Sequence, residues 1–394
     1  MKQERRRWLN ATAAYALLHI VCWGFYAVTM GFSSNVLHGF GFTDSKISVF
    51  LGICTALSCM AQLVLAEVVS RGKCRLWKLL IAMGGLILAG NLLLLLPGVP
   101  RAGAELGLGM AVLLLLLLPA LVNAVGMEAI HRGSPTNYSI ARGIGSLGYS
   151  ALAFATGTLV RQRGLNMVAL MGALCAAALA VGAIWYHMAG EQNLCDPAAA
   201  PKQEQNGGFL RRYPMFAAFL LGSVFLQYSH NLVSNFLYQI MVTKQGTAQE
   251  QGIAAAICAF VELPVMFGFP LMARKCKTNR WVAFSGLFMA MKPIGLLLAA
   301  NPMGVYLAQT TQMLGYGLYV ISSVNYGEQV AGRGDSVRAQ SYLGAACTLG
   351  NLLAMSSGGF LCQHFGVPAM VLTSLGAALA GGIVTLLTAR DRSE

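Results

Sequence analysis

An all-α membrane protein, with twelve transmembrane helices in two similar six-helix bundles, is the fold class this sequence predicts. Three observations carry that expectation. The 394 residues are 56% hydrophobic and only 10% charged, whereas a soluble domain carries about 25% charged residues. Twelve apolar runs are long enough to cross a bilayer, which takes about 20 residues as a helix. The second half also repeats the first at an offset of 202 positions. Lys73-Cys74 recurs as Lys275-Cys276, Asn123 as Asn325, and Leu147-Gly148 as Leu349-Gly350. Gly157 recurs as Gly359 and Gly164 as Gly366. A parallel repeat of half the chain builds two bundles, and transporters made this way bind their substrate where the repeats meet.

The elements follow in order. Spans 1 (8–31) and 2 (43–70) lie between the basic start MKQERRR and the basic segment holding Arg71, Lys73, Arg75 and Lys78. The start resembles a signal-peptide n-region, but the apolar run is too long for an h-region and more spans follow, so it reads as helix 1. Spans 3 (77–97) and 4 (104–126) form the next pair, ending before Arg132. Spans 5 (138–160) and 6 (165–188) complete an N-terminal bundle over 1–188. Residues 189–213 include GEQNLCDPAAAPKQEQNGG, a polar stretch rich in Pro, Ala and Gly that reads as a flexible cytoplasmic linker. Spans 7 (214–240), 8 (249–273), 9 (279–299), 10 (302–325), 11 (337–362) and 12 (366–389) make the C-terminal bundle over 214–394.

A net charge of +13 could suggest nucleic acid, but its distribution argues for a membrane. With the N-terminus inside, 21 of the 27 Lys and Arg fall in inner segments and 5 in outer loops, with Lys292 inside a span. The positive-inside rule then puts both termini in the cytoplasm, in a multi-pass protein of the plasma membrane with no nucleic-acid partner. The ten cysteines show no CxxC and no Cys/His metal spacing, so no metal or other cofactor is implied. No nucleophile–base set converges on one face, which argues against an enzyme. A monomer is expected.

Ionisable groups at mid-bilayer cost about 2.5–3.5 kcal/mol each and need a reason. Glu262 sits within AFVELPVMFGFPL of span 8, and Lys292 within FMAMKPIGLLL of span 9. Each lies 12 residues from the short basic loop between them, counted from Arg274 and Arg280. At a rise of about 1.5 Å per residue both sit roughly 18 Å from the inner end. Opposite charges at matched depth on a hairpin are natural partners, either as a structural ion pair or as a proton-coupling pair. Pro264 and Pro293 follow them and loosen the local helix.

Span 7 carries Gln227, Asn231, Asn235 and Tyr238 at helical spacing, with His230 beside that face. Span 10 carries Gln309, Gln312, Tyr316 and Tyr319, a polar-aromatic stripe that must face protein or water. His230, Asn235, Gln312 and Tyr316 are candidate solute contacts, with a hydrogen-bonded packing role the alternative for His230 and helix–helix packing the alternative for the span-10 stripe. Span 1 offers Trp23 and Tyr26, a weaker signal. Glu128 ends span 4 and Arg142 opens span 5, with Glu328 and Arg338 in a comparable place in the second half. Glu128, Glu328 and Arg338 are candidate gating groups. Gly143 to Gly148 spell GxGxxG, but inside an apolar span with no preceding strand, so a dinucleotide site is excluded.

At this point the chain resembles the major facilitator superfamily, and within it the lactose permease-like branch together with the phenylpropionate and nucleoside proton symporters. The best match is Ala141-Arg142, Gly145, Gly148 and Tyr149 in span 5. By resemblance Arg142 contacts substrate and Tyr149 stacks against it, while Glu128-Ala129 resembles the pair that partners this Arg. Lys292-Pro293-Ile294-Gly295 resembles the span-9 motif, with Lys in place of Arg. Gln312 stands where the family has His, and Gly315 where it has the coupling Glu. Coupling would therefore fall to Glu262.

The resemblance and the buried charges together imply an alternating-access secondary transporter: proton-coupled uptake of a small polar solute such as a sugar, nucleoside or aromatic acid. Glu262 and Lys292 would be the coupling pair, and Arg142, Tyr149, His230, Asn235, Gln312 and Tyr316 the solute contacts. A proton-driven efflux antiporter of hydrophobic compounds is the alternative, and a non-transporting membrane sensor a more distant one.

Overall fold

A computed structural model describes residues 2–70, 75–131, 134–190 and 209–389. The described residues contain helices and no strand. The expected linker and the Lys73-Cys74 pair lie outside them. The first six helices are α1 (Lys2–Gly39), α2 (Asp44–Ser70), α3 (Leu76–Leu95), α4 (Arg101–His131), α5 (Tyr138–Arg163) and α6 (Asn166–Gly190). After the short α7 (Phe209–Arg212), α8 (Pro214–Asn235) and α9 (Leu237–Thr243) make span 7. Span 8 is α10 (Ala248–Phe260) plus α11 (Leu263–Lys275), and span 9 is α12 (Thr278–Phe288) plus α13 (Met291–Leu298). Span 10 begins as α14 (Pro302–Thr310), passes through a π-helical segment (Met313–Gly317) and enters α15 (Leu318–Phe365). The chain closes with α16 (Val367–Thr388).

Among the described residues, eleven of the twelve expected passes are helical stretches long and apolar enough to cross a membrane, and span 10 is not one of the eleven. Spans 10 and 11 share the helical segment α15, yet the chain reverses within it. Gln340 Nε2 donates to the Val324 carbonyl at 2.9 Å. Sixteen residues of straight helix would hold those positions roughly 24 Å apart, so the two spans run antiparallel.

The chain divides into two compact units: Met1–Phe42 with Ile53–Glu204, and Thr43–Gly52 with Gln205–Glu394. In the first, α1 packs against α5 and α6, and α3 against α4 and α6. In the second, α8 packs against α15 and α16, α12 against α16, and α13 against α14. These are corresponding neighbours, so the repeat in sequence is a repeat in packing. Large apolar side chains point outward, among them Met60, Leu106, Phe267 and Leu298, the last 81% exposed. An apolar surface of this kind is stable in lipid, not in water.

Two pairs of repeated glycines show what the duplication kept. Gly164 turns α5 into α6 at φ 88°, and Gly366 turns α15 into α16 at φ 83°. Backbone in this region favours glycine because a Cβ would crowd the carbonyl. Gly148 presses on the backbone of Ile20, where a Cβ would come within 2.8 Å of Cα. Gly350 does the same on α8, with a Cβ 2.7 Å from Tyr228 N.

One feature was not expected. The first turns of α2 belong to the second unit. Gln239 Nε2 donates to Asp44 Oδ1 at 2.9 Å, and Ser45 N to Gln363 Oε1 at 3.0 Å. Ser48 Oγ donates to the Met355 carbonyl.

Candidate functional site

Four spans of the second unit are interrupted, three of them beside one polar cluster. Span 8 breaks at Val261 and Glu262, where Pro264 removes an amide donor from the next turn. Span 9 breaks at Met289 and Ala290, just before Lys292 and Pro293. Span 10 breaks at Thr311 and Gln312 and then adopts the π segment. Span 7 breaks at Phe236. In membranes such breaks survive only where protein or a cavity satisfies the freed backbone groups, and π segments concentrate at functional sites.

Glu262 and Lys292 meet through Gln312. Lys292 Nζ donates to Gln312 Oε1 at 3.0 Å, and Gln312 Nε2 donates to Glu262 Oε1 at 2.8 Å. The amide is thus oriented with its oxygen to the cation and its nitrogen to the carboxylate. Lys292 also approaches Cys258 Sγ at 3.6 Å. Lys292 and Gln312 are buried, and Glu262 is half-buried. Gly317 leaves room for the carboxylate, because a Cβ there would stand 3.0 Å from Glu262 Cγ. His230 stacks on Tyr316, with centroids 3.5 Å apart and planes 7° apart. His230, Lys292, Gln312 and Tyr316 line a cavity of ≈ 10 Å³, about the room of one water. In this conformation the cavity is closed to a solute.

The other expected contacts are placed as follows. Asn235 is buried and its Nδ2 donates to Asn351 Oδ1 at 2.9 Å, so it joins α8 to α15. Tyr319 leaves the predicted stripe and donates to Ser223 Oγ at 2.7 Å. Gln309 is buried, and its Oε1 has no hydrogen-bond partner among the described residues. Glu328 is exposed on α15. The side chains of Glu128 and Arg338 lie outside the described residues.

A separate aromatic cluster surrounds Arg142 in the first unit. Its guanidinium lies over the Trp23 ring at 4.1 Å, and Nη1 donates to Ser146 Oγ at 3.3 Å. A cation on an aromatic face is stabilised by about 0.5–2 kcal/mol. Tyr149 follows two turns later on α5, half-buried. The cluster contains His19, which the sequence reading missed. Its ring meets Tyr15 and Tyr138 edge-on at 4.7 and 5.8 Å. It is 1% exposed, and neither ring nitrogen has a hydrogen-bond partner among the described residues. The available signal was spacing: Tyr15, His19 and Trp23 recur every four residues on α1.

Residues 14–372 match the MFS_1 like family. The chain belongs to that family. It is an MFS-type transporter and a multi-pass membrane protein, as the superfamily resemblance implied. No curated protein sequence matches it. Solved structures share the fold of this MFS_1 like chain. The nucleoside transporter NupG aligns with TM-score 0.70 at 12% identity, covering 97% of this chain and 98% of its own. An auto-inhibited POT family peptide transporter aligns with TM-score 0.69 at 10% identity, covering 99% and 98%. A structure from work on substrate recognition in proton-dependent oligopeptide transporters gives 0.68 at 13%, covering 96% of each chain.

Proposed function

We propose that the chain is a proton-coupled symporter that takes up a small polar solute by alternating access, with both termini cytoplasmic. The observation that carries this reading is the Lys292–Gln312–Glu262 chain, set on three interrupted helices. A charge-assisted hydrogen bond is roughly twice as strong as a neutral one. Protonating Glu262 turns its bond with Gln312 into a neutral one and leaves the Lys292 charge unbalanced. The amide then has reason to reorient, and broken helices can follow at low cost. Proton binding and helix rearrangement are linked in this way. The nucleoside and peptide transporters that share this chain's fold are named for polar solutes, which supports the solute class. Arg142, Tyr149, His230, Asn235, Gln312 and Tyr316 are the proposed contacts.

Proteoliposomes with an internal pH dye test this directly. Pools of sugars, nucleosides, aromatic acids and short peptides are added in turn. Internal acidification with one pool supports symport and names the solute class. Equilibration of a labelled solute without acidification would mean a uniporter and leave Glu262–Gln312–Lys292 as a structural network.

A further inference from the structure

A cavity in the first unit lies away from Arg142, at the end where α1 finishes and α6 begins. Its volume is ≈ 160 Å³. An engineered cavity of about 150 Å³ takes up a benzene ring, so a single six-membered ring fits. The wall has two characters. Val36, Leu94, Leu108 and Val168 are apolar. Thr29 and Asn91 supply polar groups. Thr29 is 2% exposed, and its hydroxyl has no hydrogen-bond partner among the described residues. A buried hydroxyl in that state is unfavourable, and an occupant with a polar group would offset the cost. Asn91 is also buried, its Nδ2 donating to the Ile87 carbonyl at 2.9 Å. Its Oδ1 occupies space where a Cβ on Gly172 would stand 2.3 Å away. At the other end the exposed Asn166 marks an opening to the surface.

Among the described residues no charged side chain lines the cavity. A charged ligand would be desolvated there without a counter-charge, which is strongly unfavourable. A hydrocarbon would leave the Thr29 hydroxyl unpaired, and a water cluster would have to wet the apolar walls. We propose that this cavity is a binding site for a small neutral amphiphile, one ring or short branched chain carrying one hydroxyl or amide. It is distinct from the proton-coupling cluster and does not depend on that reading. The polar end would bond to Thr29, and the apolar body would fill the space between α1, α3, α4 and α6.

Fluorine NMR on the full-length protein in nanodiscs tests it, with 4-fluorophenol and fluorobenzene as probes. The expected result is saturable binding of 4-fluorophenol, competed by phenol and stronger than binding of fluorobenzene. Thr29→Val keeps the shape and removes the hydroxyl, so it should weaken 4-fluorophenol about fivefold and leave fluorobenzene unchanged. Ala169→Leu should fill the cavity and abolish both, with an unchanged gel-filtration profile showing that it folds. If the probe signal is non-saturable or the same in Thr29→Val and wild type, the probes only partition into lipid or another site, and the proposal fails. A complete absence of binding would make the cavity a water pocket and equally overturn it.

Discussion

In the first unit α1, α3, α4, α5 and α6 each run unbroken over 20 to 38 residues. In the second, spans 7 to 10 are all split, although their neighbours correspond to those of the first. The same packing plan therefore supports two kinds of helix. The first unit holds a cation on an aromatic face. The second places a cation and a carboxylate at either end of one amide. A continuous helix satisfies its own backbone and resists bending, whereas a split one leaves carbonyls and amides for neighbours and can rearrange at the break. The charged network and the split helices therefore occur together in the second unit.

The strongest way to break that comparison is Glu262→Gln. At one proton per solute, a one-unit pH gradient supports about tenfold accumulation. The variant should lose this driven accumulation and keep solute counterflow in proteoliposomes. Retained accumulation would remove the proton site from the second unit. Next is Gln312→Leu, which takes the oxygen from Lys292 and the donor from Glu262. A loss of about 3–5 kcal/mol in stability is expected, as for breaking a buried ionic network, seen as a large drop in thermal midpoint. Tyr138→Phe in the first unit removes only a neutral bond to Asn123 and should cost about 1 kcal/mol. Equal losses would erase the contrast.

The duplicated turns sharpen the other side of the comparison. Gly164→Ala and Gly366→Ala should each cost about 1–2 kcal/mol, and by similar amounts, because both backbones have the same hand. Unequal costs, read by thermal unfolding, would show that the turns are not equivalent. A small effect is also expected from Tyr316→Leu, which removes the stack on His230. Its cost should be about 0.5–1.5 kcal/mol, with solute affinity as the second readout.

Much of this was legible because lipid imposes simple rules. Apolar length marks a span, and a charge inside one is conspicuous, so the passes and the Glu262–Lys292 association could both be read. Pro264 and Pro293 also announced two of the breaks. The π segment could not be read, since Met313 to Gly317 contain no proline. It adds one residue to a turn, a rotation of about 100°. That rotation explains why the stripe from Gln309 to Tyr319 divides, with Gln312 and Tyr316 at the cavity and Tyr319 on Ser223. His19 escaped notice among Leu and Ile neighbours, because the apolar run masks its four-residue spacing with Tyr15 and Trp23. The pairing of Asp44 and Ser45 with α9 and α15 depends on long-range packing that no local pattern encodes.

The matched turns at Gly164 and Gly366 bear on how the chain arose. Most positions 202 apart now differ, yet these two keep the same residue and nearly the same φ. A duplicated half-length unit would leave such a match. The second unit carries a carboxylate and a lysine beside its split spans, while the helices of the first run whole. The two units differ in charge and in helix continuity on one shared packing plan.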